Sequence, residues 1–479
     1  MQEKLRRLER AWSPRTVAVV GDKRVTGYMW LRAMRPFTGR LYSVQVDPAE
    51  IPGIEELGIP NYRSLQEIPD EIDYVLCAVP RAVAPRIVAD CAAKGVAGVA
   101  LFTSGFAETG EEEGIRLQAE VARIAAEADL ALVGPNCMGL YNPRAGIRQS
   151  GEQPTGESGP VGFISQSGTH AINLSLVAAH NGLRLSKSAS IGNAVALDVP
   201  DYLEVLAADP DTRVIAMYVE GVKDGRRFFQ TLRRVAREKP VVVWKGGQTE
   251  AGARATASHT ASLASSTAVW NAVMRQTGAI PADTLDEVVD VLKALLLARA
   301  PAGPRMALMA MTGGPSVGIT DAFARAGLEV PLLSDASYRR LGEFFNVIGG
   351  SYRNPLDTGG TLGQNPDNLR RILEILDEDP HVDAIVMEVS GGFMARRWVT
   401  QPEALEGTLG TLTAFRDRSA KPFFAVFYAG HMEEAALTIR PRFQEAGIPL
   451  FPTYERAALA IRRALDYRRF LAAADGEPA

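Results

Sequence analysis

"GFISQSGTHAINLSLVAAHNG", Gly162 to Gly182, and "ALMAMTGGPSVGITDAFARAG", Ala307 to Gly327, open two distant parts of the chain in the same way. Each reads as an apolar strand, a turn of serine, threonine and glycine, and a helix-period segment that ends at glycine. A strand that feeds a helix through a short turn is the building block of a parallel sheet with crossover helices. Likeness of this kind arises often by chance, so by itself it is weak evidence of duplication.

The same alternation extends in both directions. Upstream lie "TVAVVG", "LYSVQV", "YVLCAV", "GVALFT" and "LALVGP", enough strands for one doubly wound domain ending near Pro143. After the Gly/Pro/Ser-rich link "GEQPTGESGP" the pattern restarts with "VGFISQ", "SKSASIG", "VIAMYVEG" and "PVVVWKG". "ARAPAGPR" punctuates again, and "MALMAMTGG", "AIVMEVSGG", "PFFAVFYAG" and "PLFPTY" follow, closed by a helix through "AALAIRRALDYRRFLAA". The fold class expected is α/β with three consecutive domains, at residues 1–145, 150–298 and 303–470. A chain of 479 residues agrees with roughly 150 residues per domain.

Composition narrows the function. A hydrophobic fraction of 46%, a charged fraction of 23% and a net charge of -4 describe an ordinary globular protein, without the basic excess that nucleic acid or an anionic membrane selects. Cys77, Cys91 and Cys137 are far apart, two of them in apolar or strand-like surroundings, so a reducing cytoplasm is expected rather than a disulfide framework. The start "MQEKLRRLERAW" is charged and helical in pattern with no apolar core, and no apolar span of about 18 residues follows, so neither signal peptide nor membrane anchor is expected.

The turns "SQSG" (Ser165, Gln166, Ser167, Gly168) and "TGGPS" (Thr312, Gly313, Gly314 and on to Ser316) are the first chemical signals. Small residues there free backbone N–H groups at a helix N-terminus that carries about half a positive charge, which suits a phosphate. Neither turn has the lysine of a P-loop, so a triphosphate is not expected, and ordinary N-caps remain the plain alternative. In the first domain "VVGDKRVTGYMW" places Gly21 and Gly27 after a strand but fails the dinucleotide pattern, which weakens a nicotinamide reading built on Asp47.

Glu220 in "YVEGVKDG" and Lys245 in "VVVWKGG" each end a strand. In a parallel sheet such ends share one rim, where Glu220, Lys245, the turn at Ser165 and the segment "ATASHTASLASST" with His259 would converge. For Glu220 alone, a loop-facing surface acid is the simpler reading. His259 has no neighbouring histidine, cysteine or acid, and a solvated histidine is the simpler reading of it taken alone.

Taken together, "VWKGGQTEAGARATASHTASLASSTAVWNAVMRQTGAI", "GFAETGEEE", "GPNCMGLYNP", "SQSGT", "YVEGVKDGRRF" and "NPLD" resemble the NDP-forming acyl-CoA synthetases, relatives of succinyl-CoA synthetase. The resemblance covers most of the chain. It implies the α-type subunit of an ADP-forming enzyme: a Rossmann-like CoA-binding domain followed by two flavodoxin-like ligase domains, acting as a ligase through a phosphohistidine. His259 aligns with the phosphorylated histidine, and Glu220 is expected to be its acid partner, bonding one imidazole nitrogen so that the other is free to attack. Ser165 to Gly168 and Thr312 to Gly314 would be two helix ends facing one phosphoryl group, and Gly21, Lys23, Arg24, Val79, Pro80 and Asn136 would meet CoA. No metal is expected on this chain. ADP or ATP and Mg would sit on a separate ATP-grasp β-type subunit, since no stretch here resembles that module, and a cytoplasmic oligomer is expected.

The chain departs from the family pattern at several places. Where the family carries Asn-Pro-Lys after the second strand this chain has "VDPAE", so Ala49 replaces a lysine that meets CoA phosphates, and Asp47 adds a negative charge. Ala261 and Ser265 replace two glycines near His259, which reduces backbone freedom there. These departures favour, as the rival reading, a regulatory CoA-binding protein that keeps the ligase scaffold.

Overall fold

The computed structural model describes residues 2–260, 266–365, 367–389 and 392–475, without the side chains of 257–260, 393 and 475. Two compact units divide the chain between Leu285 and Asp286.

The first unit holds two sheets. One comprises β1 (Thr16–Val20), β2 (Arg40–Val44), β3 (Asn61–Tyr62), β4 (Tyr74–Cys77), β5 (Gly98–Leu101) and β6 (Ala131–Val133), all parallel, in the order β3-β2-β1-β4-β5-β6. This is the doubly wound order with its switch point between β1 and β4. Every residue of β1, β4 and β5 is buried, as continuous apolar runs covered on both faces must be.

The other sheet comprises β7 (Gly139–Tyr141), β8 (Val161–Ser165), β9 (Leu185–Ser190), β10 (Val214–Val219), β11 (Val241–Lys245) and β12 (Ile280–Ala282), in the order β12-β11-β10-β8-β9-β7. All pairs are parallel except β7 with β9. β7 belongs to this sheet although it precedes the glycine-rich link. Helix Val199–Ala208 starts on a reciprocal cap between Asp198 and Asp201, and helix Gly225–Glu238 on an Asp224 cap.

The two sheets share one apolar core that runs from Trp12 and Tyr74 to Ile164 and Tyr202. Helix Gln2–Trp12 joins them: the indole N–H of Trp12 donates to the carbonyls of Tyr141 (3.1 Å) and Ser188 (3.2 Å). Asn193 makes a second link, donating to Glu108 Oε2 (2.6 Å) and Gln118 Oε1 (3.0 Å).

The second unit carries β13 (Met306–Ala310), β14 (Leu356–Asp357), β15 (Ala384–Glu388), β16 (Phe423–Val426) and β17 (Leu450–Phe451), parallel in the order β14-β13-β15-β16-β17. Helix Leu285–Leu296 lies almost wholly in this unit, tied there by Lys293 Nζ donating to the Leu450 carbonyl (3.0 Å). The long helix Tyr454–Asp475 covers one face of the sheet.

Candidate active site

The carboxyl ends of β8, β10 and β11 bring Ser165, Glu220 and Lys245 to one rim. The turn after β8 is internally bonded. Ser165 is fully buried; its hydroxyl donates to the Ser167 carbonyl (2.6 Å) and accepts from Ser167 N (3.1 Å). Ser167 caps helix Gly168–His180 by accepting from His170 N. These side chains are therefore committed, and the backbone N–H groups of Gly168 and Thr169 are the donors that find no partner among the described residues at the helix end. Gly168 is also a packing residue: a Cβ there would stand 2.7 Å from Met138 Cγ.

Gln166 serves the next strand instead of facing outward. Its Oε1 accepts from the N–H groups of Glu220 (2.5 Å) and Gly221 (3.0 Å), and its Nε2 donates to the Gly221 carbonyl (2.8 Å). Lys245, 7% exposed, donates to the carbonyls of Glu220 and Gly246 and lies over the Trp270 ring. Burial pushes its ammonium below the usual lysine range, against the pull of the Glu220 charge. Lys245 thus holds the rim backbone and is not a free phosphate ligand.

Glu220 is the reactive-looking group. One carboxylate oxygen accepts from the Tyr218 hydroxyl (3.1 Å); the other is buried and has no partner among the described residues. Leaving such an oxygen unpaired costs about 1–3 kcal/mol, so it signals an absent partner. His259 falls in the last turn of helix Glu250–Thr260, which follows this rim and packs against the turn Ala107–Thr109 of "GFAETGEEE". The His259 side chain, with Ala261 and Ser265, lies outside the described residues.

In the second unit Thr312, Gly313 and Gly314 open helix Gly313–Arg325 with an exposed first turn and no side-chain cap. Asp357 of "NPLD" approaches there: a Cβ on Gly313 would be 3.4 Å from its Oδ2.

The expected CoA residues divide. Gly21, with φ +83°, packs against the end of β4, where a Cβ would meet Val79 Cγ1 at 2.6 Å, and Pro80 follows. Lys23 and Arg24 are exposed on the neighbouring loop. Asn136, in the left-handed region (φ 58°), bonds Asn193 across the two sheets (3.4 Å). Ala49 is exposed and its N–H donates to Asp47 Oδ1 (3.0 Å), so Asp47 closes a local turn. The residue that organises the first loop is Asp22, which sequence reasoning passed over. Buried to 3% exposure, its carboxylate accepts from the N–H groups of Lys23 (3.0 Å), Trp30 (3.0 Å) and Leu31 (2.9 Å). Its position directly after Gly21 was the only available signal.

The "CoA binding domain" family pattern matches residues 15–143, and the "Succinyl-CoA ligase like flavodoxin domain" pattern matches residues 158–295. The acetate–CoA ligase (ADP-forming) II subunit alpha of Pyrococcus furiosus is 33% identical over 94% of both chains. This chain belongs to the ADP-forming acyl-CoA synthetases. Within that family, the acetate–CoA ligase (ADP-forming) I of Archaeoglobus fulgidus is 36% identical over 79% of this chain and 54% of its own length. An acetyl-coenzyme A synthetase 1 of Candidatus Korarchaeum cryptofilum, solved with phosphate and ADP, superposes with a TM-score of 0.84 at 28% identity over 98% of each chain. With its CoA-binding domain and its CoA-ligase relatives, the chain has coenzyme A as a substrate, and its α/β architecture is that of these synthetases. Among the described residues no helix is long and apolar enough to cross a membrane.

Proposed function

We propose that this chain is the α-type subunit of an acid–CoA ligase that converts acyl-CoA, phosphate and ADP to acid, CoA and ATP, reversibly, through phosphorylated His259. The observation that carries the reading is the buried carboxylate oxygen of Glu220 that has no partner among the described residues, on a residue bonded to the turn that opens the Gly168 helix. An imidazole N–H would satisfy it, fixing the tautomer and leaving the other ring nitrogen free to attack.

The reaction has three transfers. A phosphate oxygen attacks the thioester carbonyl, the C–S bond breaks and CoA leaves as a thiolate that takes a proton. The free nitrogen of neutral His259 then attacks phosphorus, the bond to the acyl oxygen breaks and the acid leaves as carboxylate. Finally an oxygen of the ADP β-phosphate takes the phosphoryl group as the P–N bond breaks. The amides of Gly168 and Thr169 and the helix end behind them offset the phosphoryl charge. In the second unit, Thr312, Gly313 and Gly314 offer donors of the same kind.

The nucleotide step, with its Mg, is assigned to a separate ATP-grasp β-type subunit, in a cytoplasmic oligomer. Gly21, Lys23, Arg24, Val79 and Pro80 line the approach of CoA, with Asn136 holding the junction behind them. Purified chain incubated with labelled phosphate and a panel of acyl-CoAs should acquire acid-labile, base-stable label on the peptide containing His259. His259→Ala should abolish it with the fold intact. Label on serine or threonine, or label that persists in His259→Ala, would refute the mechanism and favour the regulatory CoA-binding reading.

A further inference from the structure

Tyr218, on β10, stands beside Ser165 on β8 and Trp244 on β11 in the sheet register. Its ring packs against two others in a three-way cluster: the His170 centroid lies 4.5 Å away, that of Trp244 4.7 Å away, and those two are 4.4 Å apart. Such edge-on contacts fix a ring's direction as well as burying it. Glu220 directly follows the end of β10, and the Tyr218 hydroxyl reaches its Oε1 (3.1 Å). Burial and the nearby Glu220 charge hold the phenol protonated, which keeps it a donor. The backbone of Gly246 closes the other side: a Cβ there would lie 2.5 Å from the Tyr218 hydroxyl and 3.3 Å from Glu220 Cγ.

A carboxylate has two equivalent oxygens and rotates about its last bond, so an imidazole partner would ordinarily meet either one. Here one oxygen is taken by a fixed donor. We propose that Tyr218 is a positioning residue: by occupying Oε1 it reserves the buried Oε2 of Glu220, which has no partner among the described residues, for the imidazole of His259. The inference rests on the phosphohistidine reading above. It assigns His170 and Trp244 to holding the Tyr218 ring, and Gly246 to leaving room for its hydroxyl.

The test is single-turnover phosphorylation of the full chain by labelled acetyl phosphate. Tyr218→Phe keeps the ring stack and removes the donor, and should slow labelling of His259 roughly 10-fold with the half-saturating acetyl phosphate concentration unchanged. In a Glu220→Gln background the same change should cost less than about twofold, because the carboxylate it orients is gone. A merely structural tyrosine would lower both backgrounds by the same factor, and that result overturns the proposal, as does an unchanged rate in Tyr218→Phe. Gly246→Ala, which crowds the hydroxyl without removing it, should reproduce the slowing; a normal rate there counts against the geometry. If the wild-type chain takes no label on His259, the phosphohistidine reading and the positioning role fall together. Loss of label in His259→Ala with normal labelling in Tyr218→Phe removes only the latter.

Discussion

Gln166 and Glu220 are locked together across two strands: the Gln166 side chain accepts from the Glu220 and Gly221 amides and donates to the Gly221 carbonyl. The acid is thus held at its backbone by the turn that opens the helix at Gly168. Gln166→Ala leaves two partly buried amides without an acceptor and should destabilise the first unit by about 1–3 kcal/mol. Denaturant melts would show that loss, and His259 labelling should fall further than stability alone explains. Unchanged labelling in a folded Gln166→Ala chain would separate the turn from the acid.

Gly168→Ala should separate packing from anion binding. The added methyl meets Met138 Cγ at 2.7 Å, an overpacking that costs about 1–3 kcal/mol. Met138→Ala in the same chain should relieve it, so that the pair costs less than the sum of the single changes. Strictly additive costs in thermal melts would contradict the contact.

Asp22 gives a pH signature. Burial raises its carboxyl above the ordinary 3.8, its backbone donors only partly offsetting this. An acid whose pKa is raised on folding contributes stability that is complete below its unfolded value and is lost as pH climbs through the folded value. Relative to Asp22→Asn, the wild type should therefore lose stability as pH rises from about 4. Melts of both proteins across pH 3.5 to 7 read this difference, and a wild type that gains on Asp22→Asn with rising pH would reverse the assignment.

Ala49→Lys should restore a cation where the family carries one. Because the position is exposed, screening limits the gain, and CoA binding should tighten by about 10-fold or less, with the gain shrinking at high salt. Calorimetry showing tight wild-type binding and no gain would mean that Lys23 or Arg24 already supplies the charge.

The long apolar strands were legible because a strand buried on both faces has to be apolar throughout: "TVAVV" and "VVVWK" admit little else. Four strands escaped notice: Asn61–Tyr62, Gly139–Tyr141, Ile280–Ala282 and Leu356–Asp357. All are two or three residues long and sit at sheet edges, where the neighbouring strand dictates the pairing and the residues' own pattern does not. At the site, Ser165, Glu220 and Lys245 were readable as strand ends. Their actual bonds were not, since Gln166 reads as a phosphate ligand until its partner more than fifty residues away is known. His170 was missed for the same reason, since the Tyr218 and Trp244 rings it packs on are brought near only by the finished sheet; Asp22 and Tyr218 were missed although their partners are near in sequence, because the local pattern does not show which way their side chains turn.

The bond from the Trp12 indole to the Ser188 carbonyl spans 176 positions, and that distance is also an interval. At roughly 5–20 residues per second, synthesis takes about 9–35 s to get from one partner to the other. Helix Gln2–Trp12 is made first yet gains this anchor only after β9 exists, and later ones still: Lys4 donates to the Ala196 carbonyl (2.8 Å) and the Trp12 ring packs edge-on against Tyr202. Until those residues are made the helix cannot be fully seated, so the seam between the two sheets closes only with the second of them.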